Sequence, residues 1–256
     1  MLALITGASS GIGREFAKVL AHRGFSLILV ARRLDRLEEL AADILEFCDV
    51  DISLVDCDLS DEKNCYRLYN SIEHEKVDVL INNAGFGAYG SFLDTELKTE
   101  TKMIDLNCKS LHILTKLFVN DMNEKNKGCI LNVASSAGLM QGGPYMAAYY
   151  ATKSYVVNLT RAINEELKEQ GSRVYVGALC PGPVNTEFDE VAGVRFSLGG
   201  ISAKDCAIEG AYGMLEKRKM IIVPTLKMKL LTAVSRFLPT RPLLFVTGLI
   251  QSKKGK

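Results

Sequence analysis

Short apolar runs alternate with helix-periodic stretches from Leu2 to about Val223, and nothing else in the chain restricts its fold so tightly. Residues 2–6 read as a buried strand, after which Ile12, Phe16, Val19 and Leu20 recur at helical spacing over 11–23. A second strand is expected at 25–30, and Leu34, Leu37, Ala41 and Ile44 resume the helical period. Further strands are predicted at 52–55, 77–81, 128–134, 173–179 and 220–223, with helices over 61–75, 99–125, 149–170 and 203–217. This alternation predicts an α/β architecture, a doubly wound parallel sheet of about seven strands with helices on both faces. Ligands in such sheets bind beyond the carboxyl ends of the strands. The stretch 181–203 has no regular pattern, and a loop of that length usually binds something or moves.

The turn after the first strand reads Thr6-Gly7-Ala8-Ser9-Ser10-Gly11-Ile12-Gly13. Glycines there permit a tight turn and let backbone N–H groups approach a pyrophosphate at the helix amino terminus. The GxxxGxG spacing differs from the commoner GxGxxG fingerprint, and a bare tight connection is the alternative. At the tip of the second strand stand Arg32 and Arg33, with no carboxylate. A site for NAD would place Asp or Glu there against the ribose 2′-hydroxyl, whereas a guanidinium fits a 2′-phosphate. The expected cofactor is therefore NADP(H), with Arg32 favoured over Arg33; simple solvation of the helix start is the bland reading.

Apolar residues make up 48% of the 256 and charged residues 24%, a composition that fits one globular domain. The seven cysteines show no CxxC or zinc-ligand spacing, and His22, His74 and His112 are isolated, so no metal is expected. Reduced thiols of this kind suit a cytoplasmic protein. The first strand begins at Leu2, which leaves no room for a leader, and no apolar run reaches the length of a membrane span. No nucleic-acid partner is expected.

Of nine tyrosines, only Tyr149 has a lysine, Lys153, four residues on. Such a pair shares one helix face. Tyrosine with a pKa near ~10 is a slow acid at neutral pH, and a nearby ammonium favours the phenolate. Taken alone, the pair is as readily a coincidence of composition.

Five blocks then stand in a telling order: residues 6–13, Asp58 after the third strand, Asn82-Asn83-Ala84-Gly85, a Ser–Tyr–Lys set, and Pro181-Gly182 with Thr186. Through them the chain resembles a single-domain short-chain dehydrogenase/reductase from residue 1 to about 223. The resemblance implies a Rossmann-like fold in which Tyr149 is the general acid/base and Lys153 lowers its pKa and holds the nicotinamide ribose. Ser136 would hydrogen-bond the substrate carbonyl; the family's thirteen-residue offset to the tyrosine selects it over Ser135. Asn107 would anchor a water-mediated proton path, or else be a buried helix-kinking amide. The implied nucleotide contacts are Gly7, Ser9, Ser10, Gly11, Ile12 and Gly13 in the turn, Arg32 and Arg33, and Asp58 with Leu59 beside the adenine. Asn83, Ala84 and Gly85 would close over the adenine ribose, followed by Pro181, Gly182, Val184 and Thr186, the last reaching the carboxamide.

Residues 217–256 hold ten Lys or Arg and no Asp or Glu, although the whole chain carries only +1. Leu230, Leu231, Val234, Phe237 and Leu238 recur over 227–238, Pro239 interrupts, and 243–250 is apolar again. Cationic amphipathic helices can lie on an anionic membrane or guard a lipophilic pocket; a helical hairpin docked on the body is the plain reading. The chain thus divides into a dinucleotide-binding and catalytic domain, 1–225, and a basic helical extension, 226–256, with peripheral membrane contact through 226–251 in view. In the loop 184–202, Phe188, Val191, Val194, Phe196 and Leu198 point to a lipophilic substrate or to a lid packed on the body. The expected function is NADPH-dependent reduction of a lipophilic carbonyl, or oxidation of the alcohol, by a homo-oligomer. A 3-oxoacyl thioester reductase is the alternative within enzymes, and a non-catalytic NADP(H)-sensing protein the one outside them.

Overall fold

The computed structural model describes residues 1–72, 75–188, 192–193 and 200–252. Its strands, numbered in chain order, are β1 (Leu2–Thr6), β2 (Ser26–Ala31), β3 (Ile52–Asp56), β4 (Val77–Asn82), β5 (Cys129–Val133), β6 (Tyr175–Leu179), β7 (Val184–Asn185), β8 (Ile201–Ser202) and β9 (Ile221–Ile222). One seven-stranded parallel sheet runs β3-β2-β1-β4-β5-β6-β9, while β7 and β8 pair separately within the stretch that lacked a pattern. The strand order reverses between β1 and β4, and the crevice at that switch point is where such a fold binds ligands.

The strands read as continuous apolar runs because both faces of the sheet are covered. In β1, Ala3 and Ile5 face one layer and Leu4 the other. The first layer is built by α1 (Gly11–Ala21), α2 (Leu34–Leu45) and α7 (Ala203–Leu215), through Phe16, Leu20, Leu37, Leu40, Ala207 and Met214. The second is built by α3 (Glu62–Ser71), α5 (Leu111–Glu124) and α6 (Ala147–Glu169), through Leu68, Leu114, Phe118 and Leu167.

The helix expected over 99–125 is instead α4 (Leu97–Ile104) and α5, joined by a π-helical turn, Asp105–Ser110. The wider turn sets Asn107 on a different bearing from an unbroken helix, which is how such turns commonly serve sites. Two tail helices follow the sheet, α8 (Leu226–Ser235) and α9 (Thr240–Ser252). The Thr225 side chain caps α8 by accepting from the Met228 N–H, and Pro239 stands in the short link between the two helices. Among the described residues, no helix is long and apolar enough to cross a membrane.

Candidate active site

The turn between β1 and α1 is shaped by steric necessity. Gly7 and Gly11 have φ of +65° and +56°, the left-handed region that side chains disfavour. A Cβ on Gly7 would also lie 2.9 Å from the Ala84 Cα, and one on Gly13 would overlap the Gly7 carbonyl. Asn83 ties the loop after β4 to this turn, its Nδ2 donating to the carbonyls of Thr6 at 3.0 Å and Gly7 at 3.1 Å. The N–H groups of Asn83 and Ala84 both donate to the Thr6 hydroxyl, each at 3.0 Å. Ser10, at the N-cap of α1, makes no capping bond with its side chain, and the first turn carries no acidic residue. The helix amino terminus therefore keeps N–H groups and positive dipole for an anion, which fits a pyrophosphate.

At the tip of β2, Arg33 donates to the Ser9 hydroxyl at 3.2 Å and pairs with Glu187 at 3.1 Å. Arg36 also pairs with Glu187. Among the described residues no ion pair holds Arg32. Its charge helps keep the Asp58 carboxyl below its ordinary range: burial pushes Asp58 up, but hydrogen bonds from the Ser60 N–H and hydroxyl outweigh that, with Lys102 and Arg32 assisting.

The chain leaves β5 in an extended conformation at Ser135, which caps a 3₁₀ turn, Ser136–Leu139, by accepting from the Ala137 N–H at 3.1 Å. The Ser135 side chain lies close enough to Tyr149 to lower its pKa. Ser136 is engaged through its backbone instead, its N–H donating to the Pro181 carbonyl at 2.7 Å. Ser135 and Ser136 both line the site, and Ser135 is the one whose side chain acts on Tyr149. Ser135, fourteen residues before Tyr149, sits where the strand ends and the turn begins. Gly138 completes that turn against α6, because a Cβ there would overlap the Lys153 carbonyl. A Ser capping the turn that Gly138 closes was the signal available in the sequence.

Tyr149 and Lys153 are both buried in α6. The Lys153 Nζ donates to the Val133 carbonyl at 2.8 Å and lies 6.0 Å from the centre of the Tyr149 ring. Burial pushes Tyr149 up to about 12, with only the Ser135 side chain pulling it down. Burial pushes Lys153 down to about 8. Desolvation thus leans both groups towards their neutral forms. Asn107, 1% exposed, donates to the Phe86 carbonyl at 2.9 Å and accepts from the Phe86 N–H at 3.0 Å. Its Nδ2 also reaches the Thr152 hydroxyl at 3.2 Å, which places it behind the loop after β4 and against α6.

A cavity of about 890 Å³ joins these parts. Gly7, Ser9, Ser10, Gly11, Ile12, Arg32, Arg33, Asp58, Leu59, Asn83, Ala84 and Gly85 line one end, with Pro181, Gly182, Val184 and Thr186 nearby. Ser135, Ser136, Tyr149 and Lys153 line the middle. Gly13 and Asn107 act from behind the wall and are not part of it. The far end is apolar, formed by Met140, Met146, Tyr150 and Phe188 with tail residues that include Met228, Leu231, Leu243, Val246, Thr247, Ile250 and Gln251. Phe188 packs on Tyr149 with ring centres 5.4 Å apart, whereas Val191, Val194, Phe196 and Leu198 lie outside the described residues. Sequence reasoning missed Gln251, for which the signal was a polar residue closing the apolar run of α9.

A very-long-chain 3-oxoacyl-CoA reductase of Anas platyrhynchos is 34% identical over 199 residues, 76% of this chain and 63% of that protein. The chain thus spans less than two thirds of that relative's length. A short-chain dehydrogenase from Sphingobium yanoikuyae in complex with NADPH superposes with a TM-score of 0.83 at 29% identity, over 92% of this chain and 94% of that one. A short chain dehydrogenase/reductase from Burkholderia phymatum in complex with NAD gives 0.83 at 25% identity, over 92% of each. The sequence profile of the short chain dehydrogenases matches residues 1–193. With a match of that extent on a fold shared almost end to end, the chain belongs to the short-chain dehydrogenase family of nicotinamide-dependent oxidoreductases.

Proposed function

We propose that the protein is an NADPH-dependent reductase of a lipophilic small-molecule carbonyl, working in reverse as an alcohol dehydrogenase. The observation that carries this reading is the convergence of the Ser135 and Tyr149 hydroxyls, buried between a glycine cradle and an apolar chamber. The dinucleotide, when bound, supplies hydride to the carbonyl carbon. The cradle from Gly7 to Gly13, Arg32, Asp58, Leu59, the 83–85 loop and Thr186 would hold it. Tyr149 then gives its proton to the carbonyl oxygen while Ser135 donates a second hydrogen bond, so both donors meet the charge as it develops. Lys153 holds the ribose side of the site from α6, and Asn107 fixes the loop carrying Phe86.

Arg32 and the absence of a carboxylate at the β2 tip support NADPH over NADH, since relatives of this fold occur with either cofactor. Titrating both cofactors, with absorbance followed on ketones, aldehydes and 3-oxoacyl thioesters, tests the reading. Tighter NADPH binding with consumption by one class is expected. Binding without turnover on any class would instead indicate a sensor. Arg32→Asp should weaken NADPH roughly ten- to hundredfold, the worth of a charge-assisted hydrogen bond; unchanged preference would remove Arg32 from the site. A 3-oxoacyl thioester is the second reading for the substrate, favoured by the name of the Anas platyrhynchos relative.

The same reading takes 1–225 as the catalytic domain of a cytoplasmic homo-oligomer, paired through the helices bearing Asn107 and Tyr149; light scattering showing a monomer would overturn the pairing. It also takes the tail as a membrane-surface contact. Leu226, Leu230, Phe237 and Phe245 are exposed on α8, α9 and their link, among Lys227, Lys229, Arg236 and Arg241. Apolar area and unopposed positive charge together suit an anionic lipid surface. The protein should co-sediment with vesicles containing phosphatidylserine and less with pure phosphatidylcholine, and the Phe237→Ser, Phe245→Ser double variant should lose most of that binding. Equal recovery in the supernatant with and without vesicles would exclude the contact.

A further inference from the structure

At the nucleotide end of the cavity stands an ion pair that the proposed reaction does not use. Arg33, at the tip of β2, donates from Nη2 both to the Ser9 hydroxyl at 3.2 Å and to the Glu187 Oε2 at 3.1 Å. Arg36, in the first turn of α2, donates to the other carboxylate oxygen, Oε1. Glu187 thus brings a carboxylate to this end from the loop after β7, and Ser9, Arg33 and Glu187 all line the cavity. The Arg33 and Glu187 side chains are 41% and 39% exposed, so both are open to an arriving anion. The hydrogen bond from Arg36, assisted by Arg33, holds the Glu187 carboxyl below its ordinary range, so it is ionised at neutral pH. Its place is set by its own turn, in which the Thr186 hydroxyl donates to the Val184 carbonyl at 3.4 Å and accepts from the Phe188 N–H at 3.2 Å. Thr186 also lies against the glycine turn, where a Cβ on Gly11 would meet its methyl at 3.2 Å.

The tip of β2 is where a dinucleotide presents the 2′ position of its adenine ribose. Of Arg32, Arg33 and Arg36, the last two are already engaged by one carboxylate, while among the described residues no ion pair holds Arg32. A 2′-phosphate drawn to this cluster brings its oxygens up to Arg33, and there they meet the negative charge of Glu187. Arg33 keeps other N–H groups to offer, but a phosphate on them would lie against a like charge, so its binding must loosen the pair. An uncharged 2′-hydroxyl makes no such demand. Exposed ion pairs add little to the stability of a fold. The weight of this one falls on the anion that arrives.

We infer that Glu187 is a cofactor-discriminating residue, an internal counter-ion that competes with the 2′-phosphate for Arg33 and narrows the preference for NADPH over NADH. This rests on the reading of the cleft as a nicotinamide-dinucleotide site and adds to it a residue outside the β2 tip. Calorimetric titration of the full chain with NADPH, NADH, adenosine 2′,5′-bisphosphate and adenosine 5′-monophosphate tests it without turnover. Glu187→Gln should tighten the two 2′-phosphorylated ligands roughly three- to tenfold, the scale of a half-exposed ion pair. The other two ligands and the melting temperature should stay near those of the parent. Asp35→Asn removes an equal charge from the same helix turn as Arg36 but outside the cavity wall, and it should change all four affinities little. An equal gain in both variants would reduce Glu187 to background charge and overturn the inference. Equal tightening of all four ligands by Glu187→Gln, or of none, would overturn it as well. Weaker binding of the 2′-phosphorylated pair would make Glu187 an orienting partner of Arg33, again against the inference. A parent that prefers NADH would sink the NADPH reading, whereas a swing towards NADPH in Glu187→Gln would leave this inference standing.

Discussion

Tyr149→Phe is expected to lower carbonyl turnover about 10²- to 10⁴-fold, the usual worth of a positioned general acid. NADPH affinity should change little, because phenylalanine keeps the ring packed against Phe188 and Tyr150 and removes only the hydroxyl. Steady-state kinetics beside a cofactor titration separate the two effects. Ser135→Ala should follow with a loss of about 10²-fold or more, as for removal of one donor to a developing oxyanion. Ser136→Ala should be nearly silent. Were Ser136→Ala the more damaging of the two, the approach of Ser135 to Tyr149 would not be the productive one. Turnover in Tyr149→Phe within tenfold of the parent would remove the tyrosine as acid.

Lys153→Met should also abolish most turnover, and it carries a second signature in stability. The Lys153 pKa falls from 10.5 to about 8 on folding, so the unfolded chain holds this proton more tightly. The buried ammonium therefore destabilises the folded protein fully below pH 8, and that penalty fades as pH rises from about 8 to 10.5. Its size, by linkage, is about 3 kcal/mol. Methionine removes the penalty but leaves the Val133 carbonyl unpaired, at a cost of roughly 1–3 kcal/mol. At pH 7 the variant should thus be as stable as the parent or slightly more so. Across pH 8 to 10.5 its standing relative to the parent should decline by about 3 kcal/mol. Denaturant titrations at pH 7 and pH 10 decide the matter; a difference independent of pH would show that Lys153 is well solvated.

The sheet was legible because its inner strands bury both faces and each helix one, which leaves runs such as Leu27–Val30 and the period of Leu37, Leu40 and Ile44 in plain view. The nucleotide turn was legible because glycine is required there for backbone reasons that are purely local. What failed was whatever depends on a distant partner. The π turn at Asp105–Ser110 has no local pattern, since it forms around the bond of Asn107 to Phe86, twenty-one residues away. Which of Ser135 and Ser136 turns its side chain to Tyr149 depends on the angle at which β5 delivers its last residues, and spacing along the chain does not carry that angle. The tail's pattern allowed it to guard a lipophilic pocket, but nothing in 226–252 told which residues, Leu231, Leu243 and Gln251 among them, would wall the chamber of Tyr149, because that contact closes about a hundred residues of intervening chain.

Asn107 gives Phe86 the pair of bonds, one accepted and one donated, that a residue of an adjoining strand would give. In effect a helix side chain takes the place of a neighbouring strand for the loop that leaves β4 after Asn82. The loop over the cradle is thereby fastened from the helix side whether or not a nucleotide is present. A dinucleotide arriving at this protein would meet a finished wall, and its binding energy would not be spent on building one.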